Sequence, residues 1–173
     1  KEMSHIKLAS NSDASLVIPC TANFIAKMAN GIADDLSLNV LLASNKIKII
    51  APAMNTNMFN NEAVKLNLKS LNKMNVKILS PKKGKLACGT FGTGKLMEIE
   101  EIIEKINNIF SPKILSGLTA VVTAGPSIEM IDPVRYLSNF SSGIQGYEIA
   151  KSLHSHGAKV TLVTGKTYLD EPK

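Results

Sequence analysis

The sequence has no tryptophan, two cysteines and few aromatic residues, which make up 5 % of its 173 positions. Cys20 and Cys88 stand far apart, with no CxxC pair and no histidine at ligand spacing. We therefore expect neither a disulfide framework nor a metal site built from these residues. No apolar run approaches the roughly 20 residues that cross a bilayer, and no signal-peptide pattern opens the chain. These absences predict a cytoplasmic protein without a membrane partner.

Arginine is nearly absent as well, although the formal net charge is +6. Arg135 is the single arginine, and the lysines are scattered among asparagine and isoleucine rather than interleaved with aromatic residues. Recognition of phosphates and guanines favours the arginine side chain, which can form two hydrogen bonds at once. The composition therefore predicts no nucleic-acid partner.

Short β-branched runs alternate with helical patterns along the chain, which is 45 % hydrophobic. A parallel sheet is the arrangement that this alternation predicts, and continuous apolar runs are typical of strands buried on both faces. We expect strands at Leu16–Pro19, Ile47–Ala51, Val76–Leu79, Thr119–Thr123 and Lys159–Val163. We expect helices from Ser4 and at Ala22–Ala33, Glu62–Met74 and Glu98–Phe110. The predicted class is α/β, with a doubly wound, Rossmann-like (flavodoxin-like) sheet.

A domain boundary is predicted near Pro112 and Gly117, where SPKILSG separates an amphipathic helix from a fresh strand. The predicted domains are residues 1–111 and 118–173, joined by a linker at 112–117. The second domain reads as the start of another α/β nucleotide-binding domain. Because the chain opens on Lys1 within a helical pattern, we expect it to be an internal piece of a longer protein.

Three polar segments follow strands of the first domain: IPCTAN, APAMNTNMF and LACGTFGTGK. Ligands of open α/β sheets bind outside the carboxyl ends of the strands, so these segments are expected to converge on one site. The first can face an anion with helix N–H groups or can be an ordinary helix cap. The second can recognise an amide or carboxylate through Asn55 or can be a turn with buried methionines. The glycines of the third predict a mobile flap rather than a packed element.

Cys88 and His5 are the residues with catalytic chemistry in the first domain. A thiol with an ordinary pKa of about 8.5 is protonated at neutral pH and can donate a proton, whereas a neighbouring base would make it a nucleophile. His5 can be that base, or a helix cap or surface group. His154 and His156 point in different directions on a helix, so we do not expect them to share a metal.

The flavin-dependent cysteine decarboxylases are the family that the chain resembles, in the runs SHIKLA, PCTANFIAKMANGIADDL, PAMNTNM and ACGTFGTGK. Within it, the runs are most similar to the phosphopantothenoylcysteine decarboxylases of coenzyme A synthesis. A later block resembles the start of the phosphopantothenate-cysteine ligases, which are fused behind that decarboxylase in bacterial bifunctional enzymes; it reads VVTAGPSIEMIDPVRYLSNFSSGIQGYEIAKSLHSHGAKVTLVTG. Together the two resemblances cover almost the whole chain.

The first resemblance implies that His5 is the base, that Asn55 holds the substrate and that Cys88 is the proton donor in a substrate-covering flap. The implied substrate is 4′-phospho-N-pantothenoylcysteine. Its cysteinyl thiol is oxidised, carbon dioxide leaves, and a saturated thiol, 4′-phosphopantetheine, is regenerated. The implied cofactor is FMN, contacted by Cys20, Thr21, Ala22, Asn23 and Ala53.

The second resemblance implies CTP and Mg²⁺ as cofactors of the ligase part. SSGIQG opens a helix whose N-terminus can face phosphates, with Ser141 or Ser142 expected as its cap and Gly157 at its end. A well-capped helix without a ligand is the alternative. Ile144 and Gln145 stand where the family usually has lysine and methionine. The residues expected at the ligase substrate and nucleotide are Gly125, Asn139, Ser141, Ser142 and Gly143, of which Asn139 handles the acyl-cytidylate intermediate.

The resemblance also places the family's first strand and FMN-phosphate turn before Lys1, and most of the CTP pocket beyond Lys173. The chain by itself is therefore not expected to ligate. A homo-oligomer, either a trimer or a dodecamer, is the implied assembly. Two alternatives remain open: a flavoprotein-fold binding or regulatory subunit without catalysis, and a truncated inactive remnant.

Overall fold

The computed structural model describes residues 3–87 and 89–170. Their packing divides the chain into two compact units, Lys1–Ile103 and Glu104–Lys173, each of which has its own sheets. The division lies before the expected linker at residues 112–117, which stays a prediction. No helix in the described ranges is long and apolar enough to cross a membrane.

The first unit alternates strands and helices, which confirms the predicted class. β1, β2 and β3 form a parallel sheet in that order, while β4 and β5 form a separate antiparallel hairpin. The elements are α1 (Ser4–Asn11), β1 (Ala14–Cys20), α2 (Ala22–Ala29), α3 (Leu36–Ala43), β2 (Ile47–Pro52), α4 (Thr56–Asn60), α5 (Glu62–Lys73), β3 (Lys77–Ile78), β4 (Lys82–Lys85), β5 (Phe91–Lys95) and α6 (Ile99–Phe110), the last of which spans the division between the units.

The core of the first unit lies between the parallel sheet and its helices, with α2 packed against α5 and α1 against α3. β2 is buried from Ile49 to Pro52, because both of its faces are covered. That burial explains why the strand reads as a continuous apolar run. The central cluster consists of Cys20, Ile25, Ile50, Leu71 and Val76.

The first unit differs from the sequence-based expectation at several elements. α2 ends at Ala29 rather than at Ala33, and neither α4 nor β4 was predicted. α3 was not predicted, because its apolar residues lie on all sides and give no stripe of helical period. The prediction of a mobile flap is wrong for residues 91–95, which form a packed strand. Gly92 and Gly94 are buried there, in positions where a Cβ atom would overlap neighbouring atoms.

The second unit is a βαβ unit with an inserted hairpin. Its elements are β6 (Thr119–Ala124), β7 (Ile128–Met130), β8 (Tyr136–Ser138), α7 (Ile144–Ser155) and β9 (Lys159–Thr164). β6 and β9 pair in parallel through the crossover helix α7, which confirms both predicted strands. β7 pairs antiparallel with β8.

The prediction for the N-terminus of α7 is wrong, and the prediction for its C-terminus is confirmed. Gly143 is its N-cap, with φ +82° and no side-chain hydrogen bond, so the expected cap at Ser141 or Ser142 is wrong. The left-handed backbone at Gly143 carries the chain into the helix without the extended conformation that a capping serine adopts. Gly157 follows the helix end as predicted, with φ +97° and its N–H donated to the carbonyl of His154.

Candidate functional site

The ends of β1 and β2 meet at one edge of the first unit's parallel sheet. Cys20 lies opposite Pro52, and the N–H of Ala53 donates to the carbonyl of Cys20 over 3.1 Å. The segments that begin at Cys20 and at Ala53 therefore leave the sheet side by side. This confirms the expected convergence of the first two polar segments.

The segment after β1 turns directly into α2. The Oγ1 atom of Thr21 accepts a hydrogen bond from the N–H of Phe24 at 3.3 Å, which makes Thr21 the N-cap. Ala22 and Asn23 occupy the first helical positions, whose N–H groups have no partner within a helix. Thr21 and Asn23 are exposed, so this turn presents backbone donors to solvent.

Cys20 has a different environment from its three successors. Its side chain is fully buried in the core cluster, and burial raises the pKa of its thiol to about 12. The thiol is therefore protonated at neutral pH and packed against apolar side chains. Any contact that Cys20 makes with a cofactor stays a prediction.

Asn55 follows β2 and begins α4. Its Oδ1 atom accepts from the N–H of Asn57 at 2.8 Å, and its carbonyl accepts from the N–H of Phe59 at 2.9 Å. The half-buried carboxamide is thus held by the helix that it caps. A fixed carboxamide at a sheet edge is suited to orienting a polar group of a ligand.

The third polar segment lies directly against the second. The carbonyl of Gly94 in β5 accepts a hydrogen bond from the N–H of Met54 at 3.1 Å. At the tip of the hairpin, the N–H of Leu86 donates to the carbonyl of Thr90 at 2.8 Å. Cys88, expected at this tip, lies outside the described residues, and its position stays a prediction.

His5 lies in α1 and is half-buried. α1 packs against α3. The joint action of His5, Asn55 and Cys88 therefore stays a prediction.

The five residues predicted for the ligase part line one open cleft of about 780 Å³ in the second unit. The cleft lies beyond the carboxyl ends of β6 and β9, beside the N-terminus of α7. The Oδ1 atom of Asn139 accepts from the N–H of Ser141 at 2.9 Å. Gly125 and Gly143 both have φ +82° and approach each other so closely that a Cβ on Gly143 would lie 3.1 Å from the backbone nitrogen of Gly125.

Residues that the sequence did not single out also line this cleft, among them Phe140, Val163 and Gly165. Gly165 had a usable signal, because a glycine directly after a strand often marks a close backbone approach. For Phe140 and Val163 the sequence offered no signal that they would line a cleft. Every described lining residue is uncharged, so an anion here would be held by backbone N–H groups and hydroxyls.

Two family profiles match the chain. One is described as Flavoprotein and matches residues 1–111. The other is described as DNA/pantothenate metabolism flavoprotein C-terminal domain and matches residues 115–173.

Three similar proteins illustrate the likeness. The coenzyme A biosynthesis bifunctional protein CoaBC of Vibrio cholerae is 43 % identical over 170 residues, covering 98 % of this chain and 43 % of the relative. A PPC decarboxylase mutant complexed with pantothenoylaminoethenethiol has TM-score 0.62 and 31 % identity, covering 64 % of this chain and 62 % of that one. The FMN binding protein AtHal3 has TM-score 0.58 and 32 % identity, covering 63 % and 60 %. The chain thus spans less than half the length of the curated relative.

Proposed function

We propose that the first unit carries an FMN-dependent decarboxylase of coenzyme A biosynthesis, because the chain belongs to the Flavoprotein family over residues 1–111. The substrate would be 4′-phospho-N-pantothenoylcysteine and the product 4′-phosphopantetheine. The second unit would belong to the ligase that joins 4′-phosphopantothenate and cysteine. The observation that carries the proposal is the meeting of three polar segments, those of Thr21, Asn55 and β5, at one sheet edge.

The turn from β1 into α2 fits an FMN site. The N–H groups of Ala22 and Asn23 have no partner within the helix and suit an anionic or carbonyl-bearing ligand, and the small side chains of Ala22 and Ala53 leave room for a ligand to approach the backbone. Thr21, Ala22, Asn23 and Ala53 would hold the cofactor, with Cys20 contributing through its backbone. When bound, FMN supplies the oxidation of the substrate thiol and the return of the electrons.

Asn55, Cys88 and His5 would divide the remaining tasks. Asn55, fixed by α4, would orient the substrate, and His5 would accept a proton from it. Carbon dioxide leaves readily only when the electron pair of the broken C–C bond can be delocalised; an adjacent thiocarbonyl group takes it up as a new C=C bond, with the charge moving to sulfur as an enethiolate. Once carbon dioxide has left, the neutral thiol of Cys88 would protonate the substrate carbon.

The cleft of the second unit would hold the nucleotide and the phosphopantothenate. Ser141 and Ser142 offer hydroxyls, and Asn139 would contact the acyl-cytidylate. No described lining residue is a carboxylate, so Mg²⁺ would have to reach this cleft together with the phosphates of CTP.

The proposal also includes a cytoplasmic location and a homo-oligomer, either a trimer or a dodecamer. Sedimentation of the full-length protein would measure the oligomeric state.

The Cys88→Ser variant of the full-length protein tests the decarboxylase assignment. We expect it to bind FMN and release carbon dioxide, but to accumulate an enethiol that lacks two hydrogens of the normal product. Mass spectrometry of the product and carbon dioxide release measure the two steps separately. Ala87→Ser places the same side chain at the exposed neighbouring position, so it serves as the control and should form the saturated thiol.

A normal yield of saturated thiol from Cys88→Ser would contradict the role of the cysteine. A parent protein that binds FMN, yet neither releases carbon dioxide nor loses its visible flavin band under anaerobic conditions with substrate, would favour the non-catalytic binder.

A further inference from the structure

β5 and the segment Met54–Thr56 touch backbone to backbone. Gly94 accepts the hydrogen bond of the Met54 N–H at 3.1 Å, and a Cβ at position 94 would overlap the carbonyl oxygen of Met54. A Cβ at position 92 would overlap the side chain of Thr56, with Oγ1 closest. Glycine at both positions is therefore what allows the strand to lie this close.

The side chain of Thr56 fills the space above Gly92. Its Oγ1 atom is buried, and no described residue forms a hydrogen bond with it. Since a buried hydroxyl without a partner does not favour folding, the contribution of Thr56 here is its shape. The side chain of Thr56 therefore packs directly against the backbone of Gly92.

We propose that Gly92, Gly94 and Thr56 are positioning residues for Asn55, an inference that rests on the proposed function. Asn55 lies between two fixed points, the Met54 N–H bound by Gly94 and the Thr56 side chain packed on Gly92. Its carboxamide is in turn tied to α4 through Asn57. A shift of β5 therefore moves the group that holds the substrate.

The hairpin supplies its own control. Gly84 pairs directly with Gly92 across the two strands. A Cβ on Gly84 would meet only the flexible side chain of Lys95, at 3.0 Å from its Cδ atom. An alanine at position 84 thus changes the same hairpin without pressing on the Asn55 segment.

Steady-state kinetics of the full-length protein test the proposal. We expect Gly92→Ala to raise KM for phosphopantothenoylcysteine by about tenfold or more, because small misplacements of a positioning group cost this much. FMN content should change little, whereas Tm should fall by a few degrees because the new methyl group overpacks a buried contact. Gly84→Ala should keep KM within about twofold of the parent. Adding Thr56→Ala to Gly92→Ala should bring KM back to within about threefold of the parent. The remaining Cβ of residue 56 would then lie 3.1 Å from the new methyl group, which a small shift relieves.

An unchanged KM in Gly92→Ala, with only a lower Tm, would overturn the inference and leave a structural role. If that variant does not fold, Thr56→Ala alone decides: a KM raised about threefold supports positioning, and an unchanged KM overturns it. A parent protein that does not decarboxylate would overturn the proposed function as well, whereas an active parent with an unaffected Gly92→Ala overturns this inference alone.

Discussion

The two units build their candidate sites around the same backbone contact. In the first, the N–H of Ala53 after β2 donates to the carbonyl of Cys20 at the end of β1 over 3.1 Å. In the second, the N–H of Gly165 after β9 donates to the carbonyl of Ala124 at the end of β6 over 2.9 Å. In both, the bond joins the ends of two parallel strands, where ligands of α/β sheets bind.

The units differ in what supports that contact. The first has a buried cluster around Cys20 and Ile50 beneath its site. In the second, the buried hydrophobic residues among those described are Tyr147, Ala150 and Ala158. There a Cβ on Gly165 would overlap the carbonyl oxygen of Pro126. The first site therefore combines the close approach of β5 with a cluster of packed side chains, whereas the second relies on close backbone approach with few buried side chains near it.

Substituting Ala53 and Gly165, whose N–H groups form the matching hydrogen bonds of the two units, gives the largest expected contrast in stability. Gly165→Ala should lower the free energy of unfolding of the second unit by about 3 kcal/mol, because the new methyl group overlaps backbone that cannot rotate away. Ala53→Gly should lower that of the first unit by about 1 kcal/mol or less, the entropic cost of glycine. Hydrogen exchange of the full-length protein measures each unit separately. Equal effects would contradict the contrast.

The elements that the sequence predicted are those with a local periodic signal. β2 reads as an apolar run because both its faces are covered, and α6 carries a clear isoleucine stripe. α3 was not predicted because its apolar residues lie on all sides of the helix. β5 was not predicted because its glycines indicate a flexible loop when only the local sequence is considered. Whether a glycine loosens or packs depends on the segment that it faces, here Met54–Thr56, which lies far away in the sequence.

The candidate sites follow the same rule. The cleft residues of the second unit, such as Gly125 and Asn139, come together because a βαβ unit brings its strand ends to one edge. The Gly143 cap was missed, because serines beside it are the commoner caps. His5 belongs to a helix packed on α3, and no local pattern fixes its distance from Asn55.

The buried thiol of the first unit gives a pH-dependent contrast, since residues 104–173 contain no cysteine. Burial raises the pKa of Cys20 from 9.0 to about 12, so the unfolded chain loses this proton first as the pH rises. Stability from this group is complete below pH 9 and declines as the pH rises toward 12.

By pH 10.5, the parent should have lost about 2 kcal/mol more unfolding free energy than Cys20→Ala has, relative to each protein's value at pH 8. Urea unfolding followed by circular dichroism across this range measures the difference. Parallel pH profiles of the parent and Cys20→Ala would mean that burial does not suppress ionisation of this thiol.

Helix caps give the smallest expected contrast. Thr21→Ala removes the Oγ1 acceptor of the Phe24 N–H and should cost about 1 kcal/mol at the start of α2. Ser142→Ala should cost less than about 0.5 kcal/mol, because its Oγ lies 3.5 Å from the N–H of Ile144 and Gly143 is the cap of α7. Hydrogen exchange of the first turn of each helix measures both. A larger effect at Ser142 would mean that the cleft of the second unit relies on its side chains as the first site does, and that the two units share one design.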